Sequence, residues 1–471
     1  MKNLSLVFSL LCITHSTFAK IYQVGASKTY TVPSAVANLV SDGDTVDIDA
    51  GTYSDCATWN KNNLLLRGVG GMAHIKDVVC SGKGIWNFNG NNITTEYIEF
   101  SGAANPSLNG AGIRGQGGSF TVRNCYFHDN ENGILCNDPV AGTSDVLVEY
   151  SEFNSNGNGD GYSHNLYIGN MKSFTLRYCY THHAKIGHEI KSRAQNNYIL
   201  YNRITNETTG TASRNIDLPN GGLAILIGNI IEQGSNSDNS NMIGYGLEGL
   251  SNPTPQNIYL VNNTIVNNKS AGSFVHLQPG TGILTMVNTI FAGTGTLING
   301  TAATLDTATN LVSATSSAIG FVNAAAYDYQ LLPSAKVIGK GSNPGTAGSY
   351  ALLPVSEYVH NSKKRNRTVT GTIDIGAYEY VPTTGMDPSV SNASRLLSFP
   401  NPVSSKLYVS ITSMHSGMLT IVNTLGQILF SENIEQGEKE FEIEMEGYPA
   451  GFYFIRYVSK EVVSYKELIK E

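Results

Sequence analysis

Charge is scarce in this chain. Only 14% of its 471 residues are Asp, Glu, Lys or Arg, which excludes the helical bundles whose exposed faces need Lys and Glu in quantity. What charge there is sums to −7, so the molecule as a whole offers no electrostatic ground for binding nucleic acid. Long apolar runs are missing too: beyond a short one at the N-terminus, no stretch reaches the roughly 18 residues that a membrane-spanning helix needs. Cysteine supplies neither a scaffold nor a metal knot. There is no Cys-x-x-Cys for structural zinc, and when Cys12 is set aside with the leader, five of the six Cys remain, an odd number. Cys56 and Cys80 are the one pair to consider for a bridge.

What is abundant is Gly, 49 residues, together with Asn, Ser and Thr. That mixture suits many short strands joined by tight turns. Lys2, the apolar run Leu4 to Ile13 and the small-residue site Thr17-Phe18-Ala19 read as a secretory signal over residues 1–19, cut after Ala19. A soluble, exported, monomeric protein is the expectation.

A repeat runs through the middle of the chain. Val122-Arg-Asn-Cys-Tyr-Phe127, Val148-Glu-Tyr-Ser-Glu-Phe153, Leu176-Arg-Tyr-Cys-Tyr-Thr181 and Leu200-Tyr-Asn-Arg-Ile-Thr205 share one pattern. Leu226–Ile231, Leu260–Ile265 and Met286–Phe291 continue it. Their third residues, 124, 150, 178, 202, 228, 262 and 288, are mostly 24 to 28 apart, with one step of 34. Strand-like segments at such a period mark a coiled parallel sheet, each coil burying its apolar side against the next. The leucine-rich consensus of the same period is missing, and a sandwich of hairpins would not hold one register across seven repeats. The fold class is therefore all-β: a right-handed parallel β-helix over 20–381, with Pro33–Val40 as a helical cap on its first coil. Tyr327–Leu331 through Asp374–Tyr380 resembles the closing segment of secreted bacterial β-helix proteins.

Residues 382–395 read as a linker, and 396–471 as a small β-sandwich of alternating strands. Phe399-Pro-Asn-Pro-Val403, Asn423-Thr-Leu-Gly-Gln427, Pro449-Ala-Gly-Phe-Tyr453 and Lys466…Lys470 resemble the C-terminal sorting domain of the type IX secretion system. The resemblance implies the type IX machinery as a partner and release at the surface of a Bacteroidetes-type cell.

Period-2 alternation assigns the faces of each coil. Leu166/Ile168, Ile190/Ser192, Ile216/Leu218 and Val275/Leu277 point inward. Asn165, Tyr167, Glu189, Lys191, Arg193, Asn215, Asp217 and His276 point outward, in the columns Asn165–Glu189–Asn215 and Tyr167–Lys191–Asp217, with His276 two coils on. Around them, residues 164–203 hold six Lys or Arg against one acid, Glu189, and four His. A basic patch on an acidic secreted solenoid suggests an anionic polysaccharide built from uronic acids.

β-Elimination suits such a substrate: the uronate carboxylate must be neutralised, the C5 proton removed and the leaving oxygen protonated. Arg193 neutralises the carboxylate bidentately, Lys191 acts as base and Tyr167 as acid, or the last two exchange roles. Asp217, Glu189, His164, Asn165, Asn215 and His276 surround them as substrate contacts. Glu189-Ile-Lys-Ser192 followed by Asn197-Tyr-Ile-Leu-Tyr-Asn202 resembles the Lys-Ser…Asn-x-Ile-x-x-Asn coil of the chondroitinase B and alginate lyase branch of β-helix lyases. That resemblance implies Lys191 as the base. It departs where the family has an Arg one coil on and this chain has Asp217, and where the family's calcium-binding acids are reduced to Glu189. No cofactor is called for by the residues themselves, calcium enters only through the resemblance, and no metal ligand set is assigned.

Other readings stand beside this one. Asp217 with Glu189, Asp160 or Glu248 would make the carboxylate pair of a glycosidase, and a non-enzymatic glycan-binding or adhesin solenoid is the third class. His188 has inward parity and reads as a core histidine, His182-His183 as exposed turn residues, and Asn124, Asn202, Asn262 and Asn288 as a structural ladder.

Overall fold

A computed structural model describes residues 19–381, 394–413, 415–423, 427–459 and 463–471. The signal segment up to residue 18 and most of the 382–395 linker lie outside the described residues. Residues up to Tyr380 form one compact unit and Val381–Glu471 a second.

The first unit is a parallel β-helix. Each coil carries up to three short strands, as in Leu166–Ile168, Ser173–Arg177 and Tyr180–His182, followed by Ile190–Ser192, Asn196–Leu200 and Arg203–Thr205. Every strand pairs in parallel with its counterpart one coil away. One side forms a ten-stranded sheet whose order in space is its order in sequence, from Ala57–Trp59 to Thr296–Asn299. Inside, each coil sets its apolar residues on those of the next. Phe100, Phe127 and Phe153 stack at 4.9 and 4.8 Å between ring centroids, contacts that add to simple burial. At the N-terminal end a single helical turn, Ser34–Ala37, buries Val36 and Ala37. Cys56 and Cys80 are disulfide-bonded, while Cys125, Cys136 and Cys179 are free and buried.

The tight bends need a left-handed backbone. Asn124, Tyr150, Tyr178, Tyr201, Asn262 and Asn288 all have φ between 50° and 59°, and Gly228 has 66°. The repeat register at 202 is therefore one residue late, because Tyr201 is the bend residue and stacks on Tyr178 at 5.6 Å. Asn202 belongs to a different column. Its Oδ1 accepts from the Cys179 N–H, and its Nδ2 donates to Asn229 Oδ1, whose own amide donates to Asn263. One expected ladder is thus two: bend positions at Asn124, Asn262 and Asn288, and an interior amide chain through Asn202.

After the last coil the chain folds back along the helix instead of only closing it. Tyr329, Val337, Tyr358 and Ile375 pack on the outward residues Tyr180, Ile230, Val266 and Ile290. Ala347 and Leu352 cover Tyr178, Ile225 and Val261 on the neighbouring side. These apolar outward positions on two sides are covered, and the ten-stranded sheet keeps a polar outer column.

The second unit consists of two antiparallel sheets. One joins Ser394–Phe399, Lys406–Ser413 and Gly437–Glu444, the other Ile428–Ile434, Gly417–Asn423, Gly451–Ser459 and Val463–Lys470. Leu407, Val409, Ile411, Leu419, Ile455, Tyr457 and Leu468 form the core between them.

Candidate active site

Along the ten-stranded sheet the register brings Arg114, Leu135, Tyr167, Lys191, Asp217, Gly244 and His276 into one column, one residue per coil. Tyr167, Lys191 and Asp217 are direct neighbours, at the strand spacing of roughly 4.8 Å. Arg193 follows its strand, and its guanidinium is held on three edges. Nε donates to Tyr167 Oη at 2.8 Å, one terminal nitrogen to Asn220 Oδ1 at 2.7 Å and the other to Glu248 Oε2 at 2.6 Å. Lys191 Nζ donates to Glu248 Oε1 at 2.8 Å. One carboxylate therefore bridges Lys191 and Arg193. It comes from a loop whose backbone is fixed by the Glu248 N–H donating to Pro219 O and that of Gly249 to Gly246 O.

Beneath this surface lies a buried layer. Asp217, 2% exposed, pairs with Arg214 at 3.1 Å and lies 3.6 Å from Lys191 Nζ and 3.5 Å from His188 Nε2. His164 stacks between Tyr167 and His188, with ring centroids 5.6 and 4.9 Å away. The backbone N–H of His164 donates to Asn132 Oδ1, that of His188 to His164 Nδ1, and that of Arg214 to His188 Nδ1, at 3.0, 2.9 and 3.1 Å. Both imidazoles thus use Nδ1 as acceptor and carry their hydrogen on Nε2.

The environment separates the acids. Burial raises the Asp217 carboxyl against the pull of Arg214 and Lys191. Burial acts on Glu248 in the same direction, but the hydrogen bonds from Lys191 and Arg193 win and hold it at about 2. Burial, followed by the Lys191 and Arg214 charges, takes His188 down to about 3 from its ordinary 6.5. Burial and His188 take His164 well below that ordinary value too. Both His values lie lower folded than unfolded, so below pH 6.5 the unfolded chain binds more protons. Their stabilisation is complete above 6.5 and is lost as pH falls through 6.5 toward the folded values. Melting temperature is expected to fall with pH in that window, and His188→Asn, which keeps the acceptor for Arg214 N–H, to flatten the slope. A variant slope equal to that of the parent protein would exclude His188 as a source.

Three expected contacts are not on this face. Asn165, Glu189 and Asn215 are fully buried. Asn165 Nδ2 donates to Glu189 Oε2 at 2.5 Å, Thr181 Oγ1 donates to the same oxygen at 2.9 Å and the Ala184 N–H to Oε1 at 3.0 Å. Asn215 Nδ2 donates to Glu232 O at 2.8 Å. The strands are only three residues long, beginning at Leu166, Ile190 and Ile216, so the residue before each lies in a bend and turns inward. Burial raises the Glu189 carboxyl to about 7. The same bend corrects the parity assigned to His188, which flanks Asp217. His276 is two coils beyond Asp217, beside Gly244, and His164, 1% exposed, is a floor residue.

Among the described acids, Glu189 is sealed inside, and Asp217 and Glu248 are already paired with Lys191, Arg193 and Arg214. Arg214, His188, Asn220 and the bridging role of Glu248 were missed in the sequence. For His188 and Arg214 the signal is a second phase of the repeat: His164-Asn-Leu, His188-Glu-Ile and Arg214-Asn-Ile occupy one position on successive coils; Asn220 and Glu248 carry no such signal.

Residues 398–471 match the family described as the secretion system C-terminal sorting domain. It is a secreted β-helix protein. The tail marks it for type IX export to the cell surface or beyond, and among the described residues no helix is long and apolar enough to cross a membrane. No curated protein is similar to the chain. Among solved structures, the crystal structure of pectate lyase Pel9A is similar with a TM-score of 0.46 and 13% identity, over 77% of this chain and 97% of that one.

Proposed function

We propose that this secreted β-helix protein cleaves an acidic, uronate-containing polysaccharide by β-elimination on the Tyr167–Lys191–Arg193 face. The observation that carries the reading is Glu248: one carboxylate held by Lys191 at 2.8 Å and Arg193 at 2.6 Å, beside the Tyr167 hydroxyl. A uronate carboxylate arriving there meets the same two cations and displaces the loop carboxylate. Arg193 is already oriented by Tyr167 and Asn220, so little ordering remains to be done on binding. The Tyr167 oxygen accepts from Arg193 Nε, which leaves its own hydrogen free for the leaving oxygen. Arg193 keeps the uronate carboxylate, and Lys191, released from Glu248 and with its proton lost to solvent, takes the C5 proton as a neutral amine; with the roles exchanged, Tyr167 is the phenolate base and the Lys191 ammonium the acid.

Hydrolysis through Asp217 and Glu248 has one observation in its favour, the opposed shifts of the two carboxyls. Against it, Asp217 is covered and engaged by Lys191 and Arg214, and a proton donor must reach the glycosidic oxygen. The test is product identity. With alginate, pectate, glucuronan and glycosaminoglycans in turn, elimination generates an ultraviolet-absorbing unsaturated uronate, expected on at least one polymer. New reducing ends without that absorbance would replace elimination by hydrolysis, and retention on a polymer with no product would leave a binding solenoid.

A further inference from the structure

On a different side of the solenoid, near its N-terminal end, His74, Glu99 and His128 converge from three successive coils. His74 and Glu99 are register partners, and His128 is the partner of Ser101 two residues along. The ligand atoms lie within 4.8 Å of one another. Glu99 Oε1 is 3.0 Å from His128 Nε2 and 3.6 Å from His74 Nε2. Zinc bonds of 2.0–2.1 Å at the tetrahedral angle separate neighbouring donors by roughly 3.3 Å, midway between those two values.

The far side of His128 is organised as well. Its Nδ1 is 3.0 Å from Asp129 Oδ2, and Lys185 Nζ holds the other oxygen of Asp129 at 3.2 Å. A carboxylate that takes the Nδ1 hydrogen orients the ring and leaves Nε2 as the ligating atom, as in the carboxylate–histidine–metal arrangement. His128 Nε2 lies 3.0 Å from Glu99 Oε1 and His74 Nε2 lies 2.7 Å from Ser101 Oγ, hydrogen-bond contacts that a bound cation would replace. All three side chains are 20–26% exposed, so solvent reaches the cluster. The chain segment that covers the later coils on this side extends to Glu152 through Asn361.

We infer that His74, Glu99 and His128 form a binding site for a zinc-type divalent transition metal, with Asp129 as the positioning residue for His128 and one coordination position open to solvent or to Ser101 Oγ. The bound metal ties three consecutive coils together, and it is separate from the Lys191 face. Histidine nitrogens with one carboxylate favour zinc-type ions over calcium or magnesium, which prefer all-oxygen shells.

The experiment is zinc titration of the tag-free, metal-stripped full chain by calorimetry, with thermal melts alongside. One zinc per chain is expected, with a melting temperature that rises on zinc and returns on chelation. Both effects are expected to disappear in His74→Ala and in His128→Ala, and Asp129→Asn is expected to weaken binding roughly 10–100-fold. His182→Ala/His183→Ala, altering the other histidine pair on this side, is expected to bind zinc like the parent chain. Circular dichroism of each metal-free variant separates loss of ligand from loss of fold. The inference is overturned if the parent chain binds no zinc, or if folded His74 and His128 variants bind it unchanged. It is also overturned if the His182/His183 variant is the one that loses binding.

Discussion

Lys191→Ala is expected to lower kcat/KM on the preferred uronate polymer by roughly 10²–10⁴-fold, the range for losing a positioned acid–base group. Glu248→Gln is expected to move activity in the opposite direction. In the resting site the Glu248 carboxylate occupies both Lys191 and Arg193, so a substrate carboxylate must compete with it. The amide of Gln offers an uncharged oxygen of the same reach, a weaker competitor for two cations. KM should therefore fall severalfold, while kcat stays level or rises. The two substitutions together distinguish the chemistries. A glycosidase using Asp217 and Glu248 would lose its activity in Glu248→Gln, because both hydrolytic routes need that carboxylate as nucleophile or base. Initial rates of unsaturated-uronate formation over a range of polymer concentrations give kcat and KM separately. A Glu248→Gln enzyme with raised KM would sink the competition account.

The part of the architecture legible in the sequence is the part that repeats. Coils of about 26 residues reveal themselves because interior positions such as Phe127, Phe153, Ile199 and Ile231 must be apolar in every coil, and because the bend at Asn124, Tyr150 and Tyr178 demands a residue tolerant of left-handed backbone. The register error at Asn202 has the same origin. Asparagine serves both the bend and the amide ladder, and the left-handed backbone of Tyr201 with its stacking on Tyr178 distinguishes the two positions. The folding back of residues 327–380 over Tyr180, Ile230 and Ile290 follows no repeat, so spacing could not announce it. It explains why those outward positions are apolar.

The site divides in the same way. Inside a strand, alternation holds, and Tyr167, Lys191 and Asp217 do share one column. One residue before the strand it fails. Asn165, Glu189 and Asn215 go to the interior, and His164, His188 and Arg214 form a hydrogen-bonded ladder under the face. Glu248 is more than fifty residues from Lys191 and sits on a loop, so no periodicity connects them. The His74, Glu99 and His128 cluster escaped for another reason: His74 and Glu99 precede the first recognised repeat at Val122, in coils where one strand, Leu65–Lys76, runs through a position that later coils occupy with two.

The largest effect on stability is expected outside the site, from Arg367→Met. The Arg367 side chain is fully buried and pairs with Glu379 at 2.6 Å, while also donating to the carbonyls of Asp374, Gly376 and Ala377. Glu379 accepts in turn from the Asp374 N–H, and its own N–H donates to Glu357. One guanidinium thus secures the end of the segment that covers Ile290 and its neighbours. Removing it strands a buried carboxylate and three carbonyls, and the loss for one partner of a buried pair is about 3–5 kcal/mol. Burial already raises the Glu379 carboxyl against the pull of Arg367, so without the arginine the acid is driven further toward its neutral form. The loss should consequently be larger at neutral than at acidic pH. Arg367→Met/Glu379→Leu is expected to recover part of it, because no charge is left unpaired, though the carbonyls remain without a donor. Denaturant unfolding of the full chain, followed by tyrosine fluorescence, measures all three proteins. A single substitution costing under about 1 kcal/mol, the level of an exposed ion pair, would show that this segment is not fastened there. If the fold is fastened as described, Arg367→Met below its melting temperature should still cleave polymer at the parent rate, since the ten-stranded sheet that bears Lys191 and Arg193 takes none of its pairing from the segment.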